Sequence, residues 1–195
     1  MINEKKVKAL YKKAAQDPKH LIFLSAKLLS GLSQEVKQER AACKSGCIHC
    51  CYLRVDAYGF EVDSIIYHIS TEMNSKTRGL VKEAIKQQYN LIKKLTIEQH
   101  HHINVQCPLL INEKCSAYPV RPVACASYHS MSENPCKRSY DNPYDTSIGI
   151  PQSHRVESLK LQTHSFIQTE LKSGSPKELI SQLFLHISGE QERPR

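Results

Sequence analysis

The sequence predicts a mainly α-helical protein, a helical bundle that carries one irregular, proline-rich loop region. Two observations lead to this fold class. Apolar residues recur three and four positions apart through most of the chain. Between residues 104 and 149 this period is lost, and five prolines appear instead. With 195 residues, 40% of them hydrophobic, we expect a single domain over 1–195 with its own core.

Three helices are expected before the first cysteine, within residues 1–42. Residues 3–16 carry apolar side chains on one face and lysines on the other. The Asp17-Pro18 pair has the residue types of an N-cap and a first helical position, so it predicts a second helix. Gly31 is expected to end that helix, and a polar third helix to follow over 33–42.

Four further helices are expected over residues 61–70, 75–99, 153–171 and 175–187. The third of these opens the C-terminal helical part, which we place at 153–188. The last has serine, proline and glutamate in the order of a capping box, which predicts a helix start at Ser175.

Residues 104–149 are expected to be loop and short turns. Proline fixes one backbone dihedral and removes a hydrogen-bond donor, which interrupts regular structure. A loop of this length within a compact domain needs an additional constraint. The cysteines in this region are the obvious source of such a constraint.

The composition excludes several classes of protein. No apolar stretch approaches the roughly 20 residues of a transmembrane helix, so no membrane span is expected. The first six residues lack the apolar segment of a secretory signal peptide. We therefore expect a cytoplasmic location, where structural disulfides are disfavoured, and the eight cysteines need another explanation.

The cysteines fall into two groups of four. The near group is compact, Cys-x3-Cys-x2-Cys-Cys, and comprises Cys43, Cys47, Cys50 and Cys51. The far group is spread through the proline-rich region and comprises Cys107, Cys115, Cys125 and Cys136. Their neighbours are glycine, proline and polar residues, whereas inert buried cysteines scatter singly through apolar runs. Residues 43–136 are therefore expected to form a cysteine-cluster core.

This pattern indicates metal ligation by thiolates. Four thiolates around zinc, or around an iron–sulfur cluster, form a closed site. Eight thiolates would satisfy two such sites, or one site with the other cysteines structural, and the sequence does not divide them. The adjacent Cys50 and Cys51 diverge, so both binding one small ion is awkward. A redox dithiol is the main alternative.

The near group invites a second comparison. Its Cys-x3-Cys-x2-Cys spacing is also that of radical S-adenosylmethionine enzymes, which place it after the first strand of an α/β barrel. In this sequence the motif follows a predicted helix, and no alternation of strands and helices comes after it. The spacing alone therefore does not favour that class.

The order of the motifs resembles the YkgJ-type cysteine-cluster family. The near group is followed by Glu61, by Cys-Pro-Leu-Leu at 107–110, and by Cys-x-x-Tyr-x-x-Arg-Pro-x-x-Cys at 115–125. The resemblance ends at Cys136. Ala126 stands where the family has arginine, and Leu109 where it often has phenylalanine. The resemblance implies chelation of zinc or iron, with an iron–sulfur cluster as one form, and assigns no reaction.

Several residues near the cysteines in the sequence have expected roles of their own. Arg121 is expected either to stabilise the thiolates or to form an ion pair with Glu61 or Asp63. Tyr118 is expected to pack. His49 and His129 are expected to ligate metal or to donate hydrogen bonds to thiolates, with donation preferred for His49. The His100–His102 run is expected to be the polar end of a helix.

The net charge of +8 raises the question of nucleic-acid binding. A basic face on the first helix is predicted from Lys5, Lys6, Lys8, Lys12 and Lys13. No nucleic-acid motif accompanies it. The sequence thus predicts a metal-binding cysteine-cluster protein. The alternatives are a cluster-dependent redox or methyltransferase-like enzyme and a basic nucleic-acid-binding adaptor with a structural metal.

Overall fold

A computed structural model describes residues 3–189. It is 60% helical, which confirms the mainly α fold class. The helices of the described residues are α1 Glu4–Ala14, α2 His20–Gln38, α3 Gly59–Thr71, α4 Ser75–Ile92, α5 Ile97–His101, α6 Val123–Ser127, α7 Glu133–Asp141, α8 His154–Thr169 and α9 Leu179–Ser188.

The described residues contain two short antiparallel strand pairs. The first joins segments that are far apart in the chain, and the second joins neighbouring segments. Strand β1 (Asp56–Ala57) pairs with β4 (Lys177–Glu178), and β2 (Leu110–Ile111) pairs with β3 (Lys114–Cys115). In the second pair Leu110 lies opposite Cys115. A 3-10 turn over His49–Tyr52 carries two of the near cysteines.

The predicted end of the second helix at Gly31 is wrong. Helix α2 continues through Gly31, so the second and third expected helices are one. Leu28, Leu29 and Leu32 are buried on both sides of the glycine, and their burial outweighs the modest helix-weakening effect of one glycine.

Two other helix boundaries also differ from the prediction. The expected helix 75–99 is divided in two, because a capping box at Thr96 starts the separate helix α5. The Thr96 hydroxyl accepts a hydrogen bond from the Gln99 N–H, and the Gln99 side-chain oxygen accepts one from the Thr96 N–H. The last helix begins at Leu179 rather than Ser175. The Glu178 carboxylate caps it by accepting from the N–H groups of Ile180 and Ser181, while β4 occupies the preceding residues.

The proline-rich region is more regular than expected. It contains the β2–β3 pair, a 3-10 turn over Tyr118–Val120 and the short helices α6 and α7. Proline is compatible with these helices because it lies at their starts: Pro122 precedes α6, and Pro135 is in the first turn of α7. Periodicity could not reveal helices this short.

The core consists of two larger apolar clusters and one small one. The first joins α1, α2, α6 and α8 around residues such as Leu24, Leu28 and Ile167. The second joins α3, α4 and α9 around Ile65 and Leu183, and Cys107 and Cys115 pack against it. The cysteine-bearing segments therefore rest on helices that precede and follow them.

None of the helices within residues 3–189 combines the length and the apolar character that crossing a bilayer requires.

Candidate metal centre

All eight cysteines are free thiols. Cys43 is exposed, and the other seven are partly buried. Backbone hydrogen bonds fix the positions of the chain segments that carry these cysteines.

The near segment is a folded loop rather than a free one. The Ala42 N–H donates to the Ser130 carbonyl (2.8 Å), and the Cys47 N–H donates to the Lys44 carbonyl (3.1 Å). Gly46 between them has a φ of 86°, a left-handed conformation that glycine adopts without strain. This tight turn leads from Cys43 through Cys47 into the 3-10 turn that carries Cys50 and Cys51.

The far segment docks directly on the near one. The Cys107 N–H donates to the Cys51 carbonyl at 2.7 Å, and the Val105 N–H donates to the Tyr52 carbonyl at 3.2 Å. The β2–β3 pair then returns the chain, so that Cys115 lies beside the Cys107 segment. Two cysteines of the far group thus face the near group.

Cys125 lies in α6, which a buried carboxylate holds in place. Glu61, only 4% exposed, accepts hydrogen bonds from the N–H groups of Tyr58 (2.9 Å) and Val123 (2.8 Å). It therefore caps α3 and α6 together. Burial raises the pKa of Glu61, and the two N–H donors offset part of this rise, so that the pKa is about 7. Sequence reasoning missed this role, although the Tyr58 to Glu61 spacing is that of a capping pair.

Four thiols interact electrostatically as one set, which we call the inner group: Cys50, Cys107, Cys115 and Cys125. Burial, with smaller contributions from the neighbouring Cys115 and Cys50 thiols, raises the pKa of Cys107 to about 12. Burial also raises the pKa of Cys125 well above its usual value, again with contributions from the other three.

Cys50 lies at the middle of the cysteine framework. A hydrogen bond with the Cys51 thiol and burial both raise the pKa of Cys50, and the Arg121 charge lowers it. Cys50 also acts on the pKa values of Cys47 and Cys136, which lie outside the inner group. One side chain therefore connects both halves of the cysteine framework.

The donor chemistry of the inner group fits a soft or borderline metal. Zinc and iron–sulfur clusters bind thiolates, and the positive metal offsets the cost of burying their negative charge. Within residues 3–189, no group of three or more His, Cys, Asp or Glu side chains is already close enough to hold a metal ion as it stands. Rotation of the thiols inward would have to accompany binding.

Arg121 supplies a positive charge beside the inner group. Its guanidinium lies 3.8 Å from the Tyr118 ring centroid and donates to the Tyr118 carbonyl and to Ser33 Oγ. This charge lowers the pKa values of Cys50 and Cys115. The expected alternative, an ion pair with Glu61 or Asp63, is wrong, because Glu61 accepts backbone N–H groups and Asp63 pairs with His186. Tyr118 is 60% exposed under the guanidinium, so its ring packs on Arg121 rather than in the core.

His129 serves the fold and not the thiols. It is fully buried, its Nε2 accepts from the Ser153 N–H at 2.6 Å, and its Nδ1 therefore donates to the Ser127 carbonyl at 2.8 Å. Both ring nitrogens are occupied, so the expectation that His129 ligates metal or donates to a thiolate is wrong. It links the end of α6 to the N-cap of α8.

The other histidines differ in their surroundings. His49 has a shielded Nδ1 without a hydrogen-bond partner and lies against the Tyr140 ring. His100 and His101 end α5, as expected of a polar helix end, although His100 is buried. His102 stacks on Tyr144.

The basic face of α1 is exposed at Lys5, Lys6, Lys12 and Lys13. Lys8 instead pairs with Glu170 of the segment after α8. One of the five lysines thus contributes to the fold.

Comparison with known proteins gives one finding. The family model CxxCxxCC, described as a putative zinc- or iron-chelating domain, matches residues 42–148, more than half of the chain. Neither the curated proteins nor the solved structures give a significant match. The matched residues begin just before Cys43 and include all eight cysteines. This match confirms the cysteine-cluster resemblance.

Proposed function

We propose, since the chain belongs to the CxxCxxCC family of zinc- or iron-chelating domains, that it binds its metal through the inner group of thiolates. Cys50, Cys107, Cys115 and Cys125 would be the ligands. Cys51, whose thiol hydrogen-bonds with that of Cys50, would lie beside the centre without ligating it, because it adjoins Cys50 in the chain and one small ion does not readily take both. Zinc or an iron–sulfur cluster bound here would supply a positively charged crosslink.

The observation that carries the proposal is the docking of the segments that bear the four thiols, in which the Cys107 N–H donates to the Cys51 carbonyl and Leu110 lies opposite Cys115. In agreement with it, the Cys50, Cys107 and Cys115 thiols all raise the pKa of Cys125. The four thiols come from three separate segments: the 3-10 turn, the β2–β3 pair and α6. A metal bound among them would join these segments and, through Glu61, the start of α3. Ligand binding to the folded state alone would then raise the stability of the whole arrangement.

Arg121 would act as the positioning cation of this centre. Four thiolates around a divalent ion leave a net negative charge, which is costly to bury without a nearby positive group. The hydrogen bonds from Arg121 to Tyr118 and Ser33 hold the guanidinium in place, so its charge is available without reorganisation.

We further propose that residues 1–195 act as one domain in a reducing, cytoplasmic compartment. Free thiols at all eight positions support such a compartment. Apolar contacts of α2 with α6 and α8, and of α3 with α9, support a single unit around the cysteine segments.

An iron–sulfur cluster is the second candidate occupant, because four thiolates also hold such clusters. The test is metal and sulfide analysis, with a visible spectrum, on anaerobically purified protein. Iron, sulfide and broad visible absorbance would identify a cluster, and colourless protein with stoichiometric zinc would identify a zinc site. Protein that retains neither metal after anaerobic reconstitution would contradict the proposal.

A further inference from the structure

The inner group and the adjacent Cys51 leave three cysteines without a role, and they lie close to one another. Burial raises the pKa of Cys47, and the Cys50, Cys43 and Cys136 thiols raise it further. Burial likewise raises the pKa of Cys136, with contributions from Cys43 and Cys50. Cys43, Cys47 and Cys136 therefore lie within electrostatic range of one another, and Cys50 acts on both Cys47 and Cys136.

Two contacts hold the loop of Cys43 and Cys47 against the helix of Cys136. Lys44 Nζ lies 2.7 Å from Glu133 Oε2, in the first turn of α7. The Ala42 N–H donates to the Ser130 carbonyl just before that helix. Cys136 is one helical turn after Ser132, whose carbonyl lies 3.9 Å from its sulfur. The three thiols are thus carried by two segments that are fixed to each other.

A fourth candidate ligand, His49, lies beside these thiols. Its Nδ1 is shielded from water and has no hydrogen-bond partner, which is costly for a ring nitrogen. Cys50, Cys136, Tyr128 and Tyr140 enclose with His49 a small cavity with room for about one water-sized group. The His49 ring is 5.6 Å from the Tyr140 ring, and Tyr140 contacts Tyr52 in turn. A bound cation would give this orphaned nitrogen a partner.

Three thiolates and one imidazole form a standard tetrahedral ligand set for zinc. We propose that Cys43, Cys47, Cys136 and His49, the outer group, form a second zinc site, distinct from the inner group and exchangeable with solution. This inference rests on the proposed function, because it assumes that the inner group holds the first ion. Cys43 is exposed, whereas every inner cysteine is partly buried. Zinc at the outer group is therefore open to competing ligands, and zinc at the inner group is shielded from them.

The outer site would make the chain a zinc donor or acceptor as well as a zinc-stabilised fold. Ligand exchange at zinc proceeds by stepwise replacement of one protein ligand by an incoming one, with no oxidation or reduction. An exposed cysteine is the position at which an external thiolate or carboxylate can enter. The partner class that this chemistry suits is a small chelator or a second thiol-bearing protein.

The test uses the full chain, reduced and loaded with zinc under anaerobic conditions. We expect about two zinc ions per chain, of which one transfers rapidly to a chromophoric chelator and one slowly. Cys43→Ser and His49→Gln should abolish the rapid phase and leave the slow one. His101→Gln, an exposed histidine outside both groups, is the matched control and should keep both phases.

Cobalt substitution tests the histidine ligand separately. With cobalt in excess, which saturates the weakened outer site, His49→Gln should shift the ligand-field bands of the outer cobalt while its sulfur charge-transfer absorption persists. Cys43→Ser should lower that absorption by about a third, since one of three thiolates is lost.

The outcomes separate the two proposals. One zinc ion per chain, or a rapid phase that survives both outer-group variants, would overturn the outer site and leave the inner one standing. Unchanged cobalt bands in His49→Gln would overturn the histidine assignment. A wild-type chain that holds no zinc or iron at all would instead remove the proposed function.

Discussion

The Cys107 N–H donates a 2.7 Å hydrogen bond to the carbonyl oxygen of Cys51. The two cysteine groups therefore meet through their backbones as well as through any metal. The Glu61 carboxylate adds a second metal-independent link, between α3 and α6. We infer that the protein scaffold is largely in place before the metal binds, and that the metal stabilises it further.

Removal of metal should lower stability without removing the helices. At free zinc about 1,000 times the dissociation constant, binding to the folded state adds about 4 kcal/mol to the free energy of unfolding. Circular dichroism with and without a strong chelator should show similar helical signals at low temperature and a lower melting temperature after chelation. Complete loss of helicity on chelation would contradict a preformed scaffold.

Cys125→Ser should separate ligation from packing. In the zinc-loaded chain this change should lower the melting temperature markedly, and in the chelated chain only slightly, because only the loaded state loses a ligand. Ser127→Ala in the same short helix is the control. Ser127 is buried and donates to the Val123 carbonyl, so its loss should cost a similar amount with and without metal. If zinc raised the melting temperature of both variants by the same amount, ligation by Cys125 would be contradicted.

Arg121→Gln should weaken metal binding and make it more sensitive to acid. Without the guanidinium, the pKa values of Cys50 and Cys115 rise, so protons compete better for the same thiolates. The loss of affinity should be roughly 10-fold, the scale of groups that support a metal site without ligating it. Competition titrations at two pH values measure it. Arg121→Lys keeps the charge and should recover part of the affinity. If Arg121 acted only by stacking on the Tyr118 ring, lysine would not recover it.

Glu61→Ala should destabilise the fold by roughly 2–4 kcal/mol, because it leaves two buried backbone N–H groups without acceptors. Urea unfolding of the chelated chain gives the free energy directly. Asp63→Asn is the control on the same helix. Its carboxylate is exposed and pairs with a partly exposed histidine, so its loss should change stability by no more than about 0.5 kcal/mol. Comparable effects of the two changes would show that Glu61 does not cap both helices.

His100 should make the metal-free chain less stable in mild acid. Burial, with a smaller contribution from the Arg54 charge, lowers the pKa of His100 from 6.5 to about 4. Between those two values the unfolded chain binds the proton that the folded chain excludes, so stability falls as pH falls. The loss attributable to His100 is roughly 2 kcal/mol from about pH 7 to about pH 5.

Comparison with His100→Gln isolates this contribution. Glu61 acts in the opposite direction, because its raised pKa makes the folded chain hold a proton that the unfolded chain releases as pH rises toward 7. Both chains contain Glu61, so its effect cancels in the difference. The exposed His154, which does not act on His100, should leave the wild-type pH dependence intact when changed to Gln. If His100→Gln retained the full acid sensitivity, another group would be responsible.

The cysteine framework and the fold class could be predicted because they are local features of the sequence: close ligand spacing and apolar periodicity. Errors arose where tertiary contacts decide. Gly31 resembles a helix end, but the leucines around it are buried and carry the helix through it. Ser175 resembles an N-cap, but pairing of Lys177 and Glu178 with β1 moves the helix start to Leu179.

The proposed division of the cysteines could not be made from the sequence for a similar reason. It depends on the hydrogen bond between Cys107 and Cys51 and on the docking of Lys44 on Glu133, which join segments far apart in the chain. The same applies to His129. Its position four residues after Cys125 suggested a ligand, but α8 approaches it from the other side and occupies its Nε2.

X-ray absorption spectroscopy of the metal-loaded chain tests the central claim most directly, because it reports which atoms surround the metal. We predict a first shell dominated by sulfur, at about 2.3 Å for zinc. Cys107→Ser and Cys125→Ser should each reduce that sulfur shell or abolish metal retention. A first shell of nitrogen and oxygen alone, at about 2.0–2.2 Å, would contradict thiolate ligation.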